Sequence, residues 1–177
     1  MRLTKWRVLS TVCGLMVLTG TALALADSMV EVSGVHLCCP ACLKGVAKAL
    51  EPIEGVTQKC NQDAGTVTIT AKDDVTAQKA LDALSAAGFH GKTSSPTLTI
   101  KETTGVPKGK VKTLTLSGLH NCCGACTKKI KSTLKTVAGD ESDTAKKQSS
   151  TLDVTGDFEA AAVVKALSAA GFHVEVK

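Results

Sequence analysis

An α+β fold of two tandem modules, each running β-α-β-β-α-β, is predicted by three features of this 177-residue sequence. VEVSGVHLCCPAC (30–42) returns as LTLSGLHNCCGAC (114–126), and ALSAAGFH (83–90) returns unchanged at 166–173. The two offsets, 84 and 83, differ by one residue, so two copies of one unit follow each other along the chain. Within each copy the apolar period passes from two to 3.6 and back, twice.

A leader precedes the first copy. Arg2, Lys5 and Arg7 open it, an apolar run covers 8–26, and Ala24-Leu25-Ala26 closes it with small residues. That order is a secretory signal peptide over residues 1–26. An uncleaved anchor is the alternative, because the run can span a bilayer. Cleavage would leave 27–177, in a periplasmic or secreted location and with no membrane association. The leader also carries three of the five net positive charges and the single Trp. The remainder has little basic excess and neither Trp nor Tyr, which argues against nucleic acid as a partner.

The first module is placed at 27–92 and the second at 111–177. Val30 and Val32, like Leu114 and Leu116, alternate with polar residues as in a half-buried strand. Val46, Leu50 and Ile53, matched by Ile130, Leu134 and Val137, form the apolar stripe of a helix that starts near the last cysteine of the cluster. Asp63-Ala64-Gly65 suits a hairpin turn. A second helix is expected over Val75–Ala87 and over Phe158–Ala170, with Asp157 as an N-cap in the second copy. Gly88 and Gly171 stand as the C′ residues that end those helices, and a last strand is expected to begin at Phe89 or Phe172. The order gives a ferredoxin-like arrangement, a four-stranded antiparallel sheet with both helices on one face. GDESDTAKKQSST (139–151) lacks apolar alternation, so that edge of the second sheet is expected to be irregular or mobile. Residues 93–110 read as a flexible linker, in which TLTIK can pair as an extra edge strand.

The candidate site lies in the repeated HxCCxxC loops: His36, Cys38, Cys39 and Cys42, then His120, Cys122, Cys123 and Cys126. A cysteine in the first turn of a helix has unpaired N–H groups and the helix dipole to favour its thiolate. Two such sulfurs suit Cu(I), and three with a histidine suit tetrahedral Zn(II). His90 and His173 begin the last strands and are either further ligands or duplicated surface residues. Cys60 reads as a small buried residue of a strand. A disulfide framework fits less well, because seven cysteines remain after the leader and each cluster holds three. A redox dithiol, CPAC in one copy and CGAC in the other, is the remaining alternative. No nucleophile triad, carboxylate pair or phosphate loop points to an enzyme.

These residues resemble the heavy-metal-associated domain of copper chaperones, of metal-pumping ATPase tails and of periplasmic mercury-binding proteins. The resemblance covers 29–92 and 112–177. It rests on SGVHLCCPAC and SGLHNCCGAC between a strand and a helix, and on the late AAGF. It implies that Cys39 with Cys42, and Cys123 with Cys126, bind metal, and that Phe89 and Phe172 pack near the site. The loops depart from the family: they are two residues longer, Val35 or Leu119 replaces Met, and His and an extra Cys are inserted. The expected function is binding of a soft ion for transport, buffering or detoxification. The ion is Cu(I) by preference, or Zn(II) or Hg(II), with one ion per module at an exposed loop. Another metal-transport protein with a similar module is an expected partner.

Overall fold

The computed structural model describes residues 27–177; the expected signal peptide lies outside them. The chain runs β1 (Ser28–Ser33), α1 (Pro40–Leu50), β2 (Val56–Asn61), β3 (Thr66–Ala71), α2 (Asp74–Ala86) and β4 (Lys92–Thr93). The same order then repeats as β5 (Lys110–Ser117), α3 (Gly124–Leu134), β6 (Asp140–Asp143), β7 (Leu152–Glu159), α4 (Ala160–Ala169) and β8 (Glu175–Val176). The two antiparallel sheets have the orders β2-β3-β1-β4 and β6-β7-β5-β8, which are equivalent. In each half the helices pack against one another over one sheet face.

Register follows the apolar alternation. Val30 faces Ile69 and Val32 faces Val67 across β1 and β3, and all four are fully buried. Leu114 faces Val154 and Leu116 faces Leu152 in the second sheet. A one-residue slip would turn these rows to solvent. The edge strand β6 is short and its register shifts between Asp140 and Ser142, as the polar sequence predicts.

Both second helices end in a Schellman motif. Gly88 N–H donates to Ser85 O and Phe89 N–H to Leu84 O; Gly171 and Phe172 repeat this on Ser168 and Leu167. Gly88 and Gly171 have φ of +84° and +88°, the left-handed conformation such a cap requires.

Several expectations are corrected. Phe158 and Asp157 belong to β7, so the second-copy helix begins at Ala160, capped by the backbone of Glu159 without a side-chain bond. Asp157 is instead 3.2 Å from Lys110 Nζ. The last strands begin at Lys92 and Glu175, three residues later than expected, because Phe89 and Phe172 pair with each other as an isolated antiparallel bridge. TLTIK forms no strand, and 93–110 is not a free tether. Leu98 and Ile100 are buried, Gln78 exchanges two hydrogen bonds with the backbone of Thr99, and Thr103 Oγ1 donates to Val174 O in the second half.

Candidate metal centre

Each cluster sits where the sequence places it, between the first strand and the first helix of its half. Gly34 and Gly118, both at φ +76°, turn the chain out of β1 and β5. Cys39 and Cys123 occupy the N-cap positions of α1 and α3 in extended conformation, so Cys42 and Cys126 fall in the first helical turns. Those two are fully buried; the other four are partly buried.

The two loops do not stand apart at exposed ends. They face each other, and the six sulfurs gather in one place. Within a loop, Cys38 and Cys39 lie 3.7 and 3.8 Å from Cys42, and Cys122 and Cys123 each lie 3.7 Å from Cys126. Between loops the approaches are equally short. Cys38 lies 3.6 Å from Cys123 and 3.5 Å from Cys126. Cys39 lies 3.8 Å from Cys122 and 3.7 Å from Cys123. Cys42 lies 3.6 Å from Cys122 and 3.9 Å from Cys126. The described cysteines form no disulfide.

Reciprocal contacts bring the loops together. His90 N–H donates to Gly171 O and His173 N–H to Gly88 O, at 3.1 and 3.0 Å, on either side of the Phe89–Phe172 bridge. His36 lies on Phe172 with ring centroids 4.5 Å apart, and Phe89 stacks on His120 at 4.2 Å. Each histidine is thus held by the aromatic residue of the opposite half. Gly88 and Gly171 make this possible: a Cβ at Gly88 would meet the backbone of His120 at 2.2 Å, and one at Gly171 the backbone of His36 at 2.4 Å.

The donor groups within coordinating reach cross the interface. Cys42, His120, Cys122 and Cys126 form one such group; His36, Cys38 and Cys126 form another; Cys38, Cys39 and Cys123 form a third. Every sequence-predicted site residue belongs to at least one. The buried Nε2 atoms of His36 and His120 have no hydrogen-bond partner, so neither nitrogen is committed within the protein. His90 and His173 join none of these groups; their rings lie parallel, 6.3 Å apart. Cys60 stands apart in β2, bonded to Gln58 Oε1 at 3.3 Å, with burial raising its thiol pKa.

The crowding polarises the thiols. Hydrogen bonding within the Cys42–Cys126 pair lowers the Cys42 pKa, and that bond together with burial raises that of Cys126. The backbone amide of Cys126 brings the Cys123 thiol down to about 6. Burial pushes Cys38 up to about 12 and raises Cys122 as well. Burial also lowers His36, against the opposing pull of the Cys42 thiolate and with the help of Lys129. The shifts of Cys42 and Cys123 favour the thiolate, the form that binds a soft metal.

Three supporting features escape sequence reading. Gly45 on α1 leaves room for His120 of the other half; a Cβ there would stand 2.8 Å from its Cε1. Asn121 is buried; it donates to Lys146 O at 2.8 Å and accepts from Thr127 Oγ1 at 2.9 Å, bracing the second loop where the first has Leu37. An open groove of ≈ 660 Å³ between the halves, lined by Ala86, His120, Asn121, Cys122 and Ser149 among others, reaches Cys122 but not Cys42 or Cys126. The difference between HL and HN was the only signal for Asn121.

The second half thus joins a strand, a glycine turn and a CxxC pair at the start of a helix. Residues 113–173 match the heavy-metal-associated domain. The matched span begins in β5 and ends just before β8, so it contains Cys122, Cys123 and Cys126. The heavy-metal-associated domain implies heavy-metal binding, and the cysteine and histidine groups above fit that role in donor type and spacing. No curated protein matches the chain significantly.

Proposed function

We propose that this protein binds soft transition or heavy metal ions through both HxCCxxC loops acting as one site, to carry, buffer or detoxify them. Cu(I) is the favoured ion; Zn(II) and Hg(II) are the competitors. The observation that carries this reading is the meeting of six sulfurs at 3.5–3.9 Å, with imidazoles beside them. Sulfur softness selects Cu(I) and Zn(II) over Mg(II) or Ca(II). The repeated topology and the shared motif support a heavy-metal-associated module in the first half as well. The leader at 1–26 supports a periplasmic or secreted protein, and no described helix is long and apolar enough to cross a membrane.

One observation favours a second reading. Thiols this close, two of them with lowered pKa, can also be oxidised to disulfides.

The test is an anaerobic competition of the reduced protein for Cu(I) and Zn(II) against chelators of known affinity. Tight binding is expected, with Cu(I) preferred. Failure to hold either ion, with the thiols reduced and the fold intact, would remove this function and leave the redox reading.

A further inference from the structure

We propose that the six cysteines hold several Cu(I) ions together in one sulfur-bridged cluster shared by both loops, instead of one ion at each loop. This rests on the soft-metal reading above and goes beyond it in stoichiometry and bonding.

The geometry is that of a cage. Four triangles of sulfurs have every side at 3.5–3.9 Å: Cys38/Cys42/Cys126, Cys38/Cys123/Cys126, Cys39/Cys42/Cys122 and Cys42/Cys122/Cys126. A metal–thiolate bond of ~2.3 Å puts the sulfurs of a trigonal site ~4 Å apart, so each triangle is close to the size that holds one ion. Every triangle draws from both loops. Cys42 and Cys126 each lie in three of them, so an ion in one triangle shares its sulfur with an ion in the next. Thiolate sulfur has the lone pairs to bridge, and Cu(I) accepts low coordination by soft ligands.

Charge points the same way. A single Cu(I) would balance one sulfur of six. The rest would stay protonated or stand as like charges within 4 Å in a half-buried site, where repulsion is strong. Each added Cu(I) takes a sulfur lone pair and sends a thiol proton to solvent, so charge remains matched as the cage fills. Because sulfurs are shared, the first ion preorders the sites of the later ones, and loading becomes cooperative. The competing arrangement is one Zn(II) on Cys42, Cys122, Cys126 and His120, the one described four-donor group.

The test is anaerobic titration of the reduced protein with Cu(I) supplied as its acetonitrile complex, read by native mass spectrometry and X-ray absorption. The expected result is more than two Cu(I) per chain, scarcely any singly loaded species, and short Cu–Cu scattering. Replacing both Cys39 and Cys42 with Ser is expected to cost more than half of the bound copper, because every triangle loses at least one corner except Cys38/Cys123/Cys126. Cys60→Ser is expected to change nothing. One or two ions without Cu–Cu scattering, or the double variant retaining half the copper with its fold intact, would overturn the cluster and leave metal binding standing. No Cu(I) bound at all would overturn both.

Discussion

Gly45 shows how one missing side chain shapes the site. A glycine inside a helix costs about 1 kcal/mol relative to alanine, so Gly45→Ala would ordinarily stabilise α1. Here the new methyl would press on the packed ring of His120, 2.8 Å from Cε1, and that ring is already stacked on Phe89. We expect the helical gain to be lost and the Cu(I)/Zn(II) preference to move further toward Cu(I), since the Zn(II) group needs the imidazole. Chelator competition on the variant checks this; an unchanged preference would mean that His120 is no ligand. Asp73 is a residue whose role concerns stability alone. Its carboxylate accepts from Thr76 N–H at 2.7 Å, and hydrogen bonding from the Thr76 side chain and backbone holds its pKa below the ordinary carboxylate range. The folded value is the depressed one, so this stabilisation is present above the ordinary carboxylate pKa and is lost as pH falls through the folded one. Asp73→Ala should therefore lower Tm at neutral pH, with the gap to the parent closing under strong acid; a constant gap would assign the loss to something other than the cap.

At the scale of elements, the caps of α2 and α4 do more than stop helices. Gly88 and Gly171 turn the chain so that Phe89 and Phe172 meet, and they let the backbones of the two halves close to within reach of each other. Gly34 has a similar positive φ, +76°, but open space around it. Alanine at Gly34 should cost about 1–2 kcal/mol, the left-handed strain alone. Alanine at Gly88 should cost more and also part the loops, visible as a larger radius in small-angle scattering and weaker Cu(I) retention. Equal effects would mean that the close approach is unimportant. Most elements were legible in the sequence, because Val30/Val32 and Val46/Leu50 show their periods without help from distant residues. The start of α4 was not: Phe158 and Asp157 fit a helix pattern as well as a strand pattern, and pairing of Val111 with Phe158 across β5 and β7 decides for the strand.

For the whole molecule, what was legible was the list of cysteines and histidines that meet at the candidate site; how they assemble was hidden. Each HxCCxxC loop reads as complete in itself, and nothing in its spacing tells that the partner of Cys42 is Cys126. The clue was the unchanged ALSAAGFH, whose last three residues form the contact between halves. On the proposed function, that contact would set how fast an ion leaves. Cys42 and Cys126 are wholly enclosed, and the groove stops at Cys122, so a chelator in solution reaches the inner sulfurs only after the halves separate. Stripping of bound Cu(I) should accelerate with chelator concentration at first and then level off, at a plateau raised by Gly88→Ala. A rate that keeps rising in proportion would mean direct attack along the groove. With a plateau, residence time belongs to the protein's own breathing and not to the strength of copper–sulfur bonds: the ion is held by a door, and whatever opens the door decides when it is delivered.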